Sequence, residues 1–183
     1  MPPFRKLGET ELFRGYLIRV ASARFAGPDG KEFERDIVHH PGAVVVVPVT
    51  RARNAVMVRQ FRAALEADLL EIPAGKRDVD GEAPEITAER ELAEEVGLKA
   101  GRLDLLARFY NSPGFTDELT WLYLAQDLQP VPVDRQGAEE QHMTIEEVAL
   151  ADVPAMIGRG EIADAKSIIG LCLASRVLDG ATG

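Results

Sequence analysis

The run from Ala43 to Val49 constrains the fold most. Every position in it is apolar. Side chains alternate between the two faces of a strand, so a run without alternation belongs to a strand buried on both faces. Strands on either side of it read clearly. Tyr16 to Phe25 is rich in β-branched and aromatic residues, and Glu32 to His39 follows across the turn Gly27-Pro-Asp-Gly30, which makes a hairpin. Ala55 to Phe61, Leu69 to Ile72, Leu103 to Tyr110, Leu119 to Leu124 and Met143 to Val148 are further strands. Helices are predicted over Pro84 to Val96, Val153 to Ile157 and Ala163 to Leu178, and Gln129 to Gln141 is a polar connection. The order does not alternate strand and helix, so the class is α/β with a mixed sheet.

The length of 183 residues suits one domain with a small extension. The division drawn is an N-terminal β extension, 1–40, and a main domain, 41–183. The longest aliphatic stretch, Ala43 to Val47, is far short of a membrane span. Charges at Arg5, Lys6, Glu9, Glu11 and Arg14 leave no signal-peptide apolar region. A net charge of −9 gives no general attraction for nucleic acid or an anionic membrane. An anionic substrate would have to be drawn locally, by a metal ion or placed arginines. The single cysteine, Cys172, lies in the apolar stretch Ile168 to Leu173 and is predicted to be a small buried residue. A reducing cytoplasm fits. His39, His40 and His142 lack metal-ligand spacing, and Trp121 is predicted as core.

The segment Arg90-Glu-Leu-Ala-Glu-Glu-Val-Gly-Leu98 carries the chemistry. On a helix, Ala88, Leu92 and Val96 share an apolar face that Ile86 and Ala93 extend. Glu91, Glu94 and Glu95 cluster on the opposite side. Glu91 and Glu95 are a like-charged i, i+4 pair near the helix C-terminus, where the dipole also disfavours anions. An Arg90–Glu94 pair softens this, and a solvated acidic face is the plain alternative. The chemical alternative is a site for a hard cation such as Mg²⁺.

The preceding loop shifts the balance toward the cation. Gly75 to Gly81, then Glu82, leads into the helix, with seven residues between Glu82 and Arg90. With Arg90, Glu91, Leu92, Glu94, Glu95, Gly97 and Leu98, this resembles the Nudix signature. Six residues separate Gly75 from Glu82, where the usual pattern has five. One added loop residue leaves the helix and its carboxylates in place.

The resemblance implies a Nudix-type α/β/α sandwich with an N-terminal β-hairpin extension. It implies hydrolysis of a nucleoside diphosphate linked to another group, with Mg²⁺ as cofactor and Mn²⁺ as the alternative. Glu91 and Glu95 would be the principal metal ligands, Glu94 a further ligand or an orienter of water, and the Ala74 carbonyl another contact. Arg90 would hold the cluster in place, and Gly75 would permit the tight loop.

Outside the signature, Val58-Arg-Gln-Phe-Arg62, Leu70-Glu-Ile-Pro-Ala-Gly75, Asp164-Ala-Lys-Ser167 and Pro113, fifteen residues past Leu98, resemble the ADP-ribose pyrophosphatase subgroup. That implies cleavage of ADP-ribose to AMP and ribose 5-phosphate. Arg62, with Arg59 as a second candidate, would clamp the diphosphate. Glu71 and Pro113 would belong to the substrate site, and Phe33 and Arg35 would help to bind adenine by stacking. The general base would lie in Gly137 to Gln141, as Glu139 or Glu140. A homodimer is implied, with no nucleic-acid or membrane partner. Rival readings are a Nudix hydrolase of a nucleotide sugar or dinucleotide, and a nucleotide-binding sensor without turnover.

Overall fold

The structure is a computed structural model that describes residues 3–77, 79, 81–133 and 140–180. Strands β1 (Arg5–Arg14), β2 (Arg19–Ala26) and β3 (Glu32–His39) form an antiparallel sheet in that order. Further strands are β4 (Ala43–Pro48), β5 (Asn54–Arg62), β6 (Ala67–Glu71) and β7 (Ala74–Lys76). Helix α1 (Pro84–Val96) follows, then β8 (Leu98–Lys99), β9 (Arg102–Tyr110), β10 (Leu119–Gln126), β11 (Gln129–Pro130) and β12 (Thr144–Ala149). Helices α2 (Val153–Gly158) and α3 (Ala165–Gly180) close the described chain. One sheet has the order β7-β4-β10-β9 and another the order β12-β5-β6, while β8 and β11 make a short ladder. No helix among the described residues is long and apolar enough to cross a membrane.

The chain forms two compact units. The first comprises residues 1–42 and 109–120, and the second comprises 43–108 and 121–183. A division at residue 40 does not anticipate that 109–120 joins the first unit. In that unit, β2 buries Ala21 and Ala23. Val38 donates its backbone N–H to Phe115, and Asp117 donates its own to Val38, so 112–117 lies along the end of β3. His39 Nδ1 is 2.5 Å from Asp117 and Nε2 is 3.2 Å from Glu9, so this histidine is satisfied.

In the second unit, β4 explains the cover on both faces. Val44 and Val46 pack in a cluster with Val56, Val58, Ala88, Leu92, Val96, Tyr123 and Ala125. That cluster is the α1 side. On the other side, Gly170 of α3 lies against Val47, Leu122 and Ile72. Even-numbered β4 residues therefore face α1 and Val47 faces α3, as strand alternation requires. All four valines from Val44 to Val47 are fully buried. The result is helix, sheet, helix.

Several local expectations are corrected. β1 was not legible, because its charged residues give no apolar face and nearly all of it is exposed. Pairing with β2 and ion pairs such as Lys6–Glu9 at 2.6 Å and Arg19–Glu9 at 2.7 Å hold it. β2 begins at Arg19, not Tyr16, because Gly15 N–H bonds Ile18 O in a turn that leaves Tyr16 exposed. Ile86 is exposed, and Thr87 takes the buried place beside Ala88. Cys172 is exposed, since α3 turns Ser167, Gly170, Leu171 and Ala174 inward instead. Trp121 is half-buried at the edge of the core, packed against the cluster on one side, with the Arg77 guanidinium 4.4 Å above its ring.

The contact at Gly170 sets a stability test. A Cβ there would lie 2.8 Å from Ile72 Cδ1 and 2.9 Å from Val47 Cγ2. Gly170→Val is expected to cost about 1–3 kcal/mol through overpacking, read as a lower urea midpoint at unchanged slope. An unchanged midpoint would contradict the packing of α3 on β4.

Candidate active site

Helix α1 begins where the sequence asks. Pro84 occupies the first turn, where its missing N–H costs nothing. Glu82, just upstream, accepts the Thr87 hydroxyl at 2.6 Å. That hydrogen bond leads the causes that lower its pKa, and the Arg90 charge adds to it. The helix ends at Gly97, whose φ of 66° is left-handed and whose N–H returns to Ala93 O at 3.0 Å.

The three helix glutamates have different settings. Glu95 is almost fully buried, at 3% exposure, so it does not belong to a solvated face. Its Oε2 accepts the Ala74 N–H at 3.0 Å, which ties the helix to β7. Glu91 and Glu94 meet Arg90, whose Nη1 is 2.9 Å from Glu91 Oε1 and 3.1 Å from Glu94 Oε2. Glu82 Oε2 is 3.5 Å from Arg90 Nη2. Burial works against the Arg90 charge, but Glu91, Glu94 and Glu82 outweigh it and raise its pKa.

Gly75 is needed for space. A Cβ at this position would lie 1.9 Å from the Glu91 carboxyl carbon. Its backbone is ordinary strand, paired with Val44, and not the special turn conformation that the sequence suggests. The carboxylate of Glu91 thus lies directly on β7, the strand that carries the Ala74 carbonyl.

Among the described residues, no three acidic, histidine or cysteine side chains converge as a preformed metal-holding group. Arg90 supplies the nearby positive charge. The donor set nevertheless fits a hard cation. It is all oxygen, three carboxylates, Glu82, Glu91 and Glu94, gather around the Arg90 guanidinium, and the bare α-carbon of Gly75 admits the Glu91 carboxylate.

Arg62 ends β5 and points along the face it shares with Glu71. Its Nε and Nη2 donate to the two Glu71 oxygens at 2.7 and 2.6 Å. Glu71 is 2% exposed. The bidentate bond to Glu71 raises the Arg62 pKa against burial, and Glu71, Glu95 and Asp164 add attractive charge. Both Glu71 oxygens are therefore engaged by Arg62. Arg59 is three residues back, on the other face, paired bidentately with Glu146 of β12 at 2.6 and 3.2 Å. Arg59 and Arg62 do not form one clamp in this arrangement.

In the first unit, Phe33, Arg35 and Pro113 line one cavity of about 390 Å³ with Phe4, Phe25 and Ile37. Phe33 stacks on Phe25 at 5.6 Å, and the Arg35 guanidinium sits 4.8 Å above the Phe33 ring. Glu139 lies outside the described residues, and Glu140 opens a 3₁₀ turn, Glu140–His142. Arg77 was missed by the sequence reading. It stacks on Trp121 and donates to the Glu82 carbonyl at 3.0 Å, so it pins the loop before α1. Nothing in the spacing of Arg77 and Trp121 announces that contact.

The family described as NUDIX domain matches residues 39–168. An ADP-ribose pyrophosphatase of Bacillus subtilis (strain 168) is 40% identical, covering 89% of this chain and 88% of its own. A methanol dehydrogenase activator of Bacillus methanolicus is 36% identical, covering 88% and 86%. An ADP-ribose pyrophosphatase of Mycobacterium tuberculosis (strain ATCC 25618 / H37Rv) is 35% identical, covering 97% and 86%. A solved structure titled as an ADP compounds hydrolase superposes with a TM-score of 0.86 at 23% identity, covering 99% and 97%, and shows the same fold.

The Arg62–Glu71 pair gives a double-variant test. Arg62→Met leaves a buried carboxylate without its cation. The expected loss is about 3 kcal/mol, the low end for a broken buried pair, because the Arg62 side chain is 37% exposed. Adding Glu71→Leu should restore most of it. Equal urea midpoints for wild type and Arg62→Met would refute the pairing.

Proposed function

The chain belongs to the Nudix family, and we propose that it hydrolyses the diphosphate bond of ADP-ribose to AMP and ribose 5-phosphate. The observation that carries the reading is the packing of Glu91 and Glu95 against residues 74 and 75. The names of two relatives supply the substrate.

Glu91 and Glu95, with Glu94 and the Ala74 carbonyl as further donors, would hold a divalent cation, Mg²⁺ or Mn²⁺, which supplies charge neutralisation and an acidified water. The protein's own contribution is positional. Arg90 balances the carboxylates, so they stay together before a cation arrives. Arg62 is held flat by Glu71 and offers a fixed guanidinium to a phosphate oxygen, while Glu71 acts through Arg62. Arg59 is a weaker candidate for phosphate, because Glu146 already engages it. Water attacks one phosphorus, the bridging oxygen leaves with the other phosphate, and the water proton passes to Glu139 or Glu140.

The cavity of the first unit suits a purine. Its walls are flat rings, and a guanidinium is stacked at one edge. We assign Phe33, Arg35 and Pro113 to the adenine on that ground. A homodimer and a cytoplasmic setting belong to the same proposal. The exposed free thiol of Cys172 suits a reducing compartment.

Release of the nucleoside monophosphate is to be measured with Mg²⁺ for ADP-ribose, UDP-glucose, GDP-mannose, NADH and diadenosine polyphosphates. ADP-ribose should lead in kcat/KM by about tenfold or more, the effect of roughly 1.4 kcal/mol at the transition state. Another leader would keep the metal helix and remove the substrate assignment. Glu95→Gln should fold normally and lose about a hundredfold or more, in line with a metal worth several kcal/mol. Near-normal turnover by folded Glu95→Gln would sink the site. Exchanging Glu139 and Glu140 singly for Gln identifies the base as the one whose loss removes the ascending, acid-side limb of the pH profile. Equal and small effects would place the base elsewhere.

A further inference from the structure

Helix α3 reaches the link at residues 72 and 73 that leads into β7 and Ala74, although its residues lie about ninety positions further along the chain. Ser167 is fully buried. Its hydroxyl accepts the Ile72 N–H at 2.9 Å and donates to Asp164 Oδ2 at 2.8 Å. The same Asp164 oxygen accepts the Ser167 N–H at 2.8 Å, and Lys166 Nζ is 2.8 Å from Oδ1. Two residues beyond Ile72, the Ala74 N–H donates to Glu95. Between them, the Pro73 carbonyl accepts the Val46 N–H at 2.9 Å. Residues 72 to 74 are thus fixed by α3, by β4 and by α1 in turn.

We propose that Ser167, oriented by Asp164, is a positioning residue that sets the Ala74 backbone and through it the carboxylate of Glu95. The inference rests on the reading of Glu95 and Ala74 as cation donors. Neither Ser167 nor Asp164 touches the substrate in this proposal. An ordinary helix cap needs only the Asp164–Ser167 N–H bond. The serine hydroxyl adds a second function, because it satisfies a buried N–H on a different element. Asp164 remains ionised in spite of burial, with Lys166 and Ser167 lowering its pKa, so it accepts two bonds on one oxygen. Without the hydroxyl, Ile72 loses its partner and the chain leading to Ala74 gains freedom. Glu95 then loses the fixed donor that orients it. Partners of this kind typically change metal affinity or activity by about 10–100-fold.

Ser167→Ala separates the two functions, since an alanine N–H still caps α3. Mn²⁺ affinity is to be measured by electron paramagnetic resonance on the full chain, with kcat and KM for ADP-ribose alongside. The expected result is Mn²⁺ binding weaker by about tenfold and kcat lower by a similar factor, within the range for such partners, with KM little changed. Leu171→Ala, on the same buried helix face, should lose stability and keep Mn²⁺ affinity. Wild-type Mn²⁺ affinity in folded Ser167→Ala, with affinity lost in Glu95→Gln, overturns the relay alone. Wild-type affinity in both variants overturns the metal reading as well. Equal weakening in Ser167→Ala and Leu171→Ala would mean general destabilisation and would also overturn the relay.

Discussion

Arg90 is the charge on which the acidic helix depends. Glu82, Glu91 and Glu94 surround it, and Glu95 is buried one turn from Glu91. An i, i+4 pair of glutamates costs only a few tenths of a kcal/mol on an isolated helix in water. Packing α1 against β4 and β7 removes that water and raises the cost of every unpaired carboxylate. A guanidinium solves the problem by geometry, since its fork reaches several oxygens and its charge is permanent. The buried apolar face of Ala88, Leu92 and Val96 can then dock on Val44 and Val46.

Strand β4 is the other half of the arrangement. Its alternation gives α1 one face and α3 the other. Small residues let the layers close at two points. Gly170 admits α3 to van der Waals contact with Val47 and Ile72, and Gly75 admits the Glu91 carboxylate to β7. The chemistry and the core therefore share one element, and residues 72 to 74 are gripped from three sides.

The double-faced burial of β4 was legible, because seven apolar residues in succession leave no polar side. Helix α1 was legible to the residue, since Pro84 and Gly97 mark its ends. Its carboxylates were legible as a group, whereas their division of labour was not. Glu95 turns inward because its partner, the Ala74 N–H, comes from another element. Periodicity cannot report such a donor. β1 was hidden for a related reason, since its ladder and the Arg19–Glu9 pair depend on β2 and leave no apolar pattern in its own residues. Arg59 and Arg62 look alike three positions apart, and only the register of β5 with β12 and β6 separates their partners.

The outward turn of Cys172 has a practical consequence. It is the sole cysteine in 183 residues and is exposed on α3, a helix whose inner face holds Ser167, Gly170 and Leu171. A maleimide dye or nitroxide would attach at one place on the native chain, without first deleting other thiols. That label would sit five residues from Ser167, on the outer side of the helix. The molecule thus comes with its own reporter position, suited to following in real time how the α3 layer responds when cations or nucleotides are added.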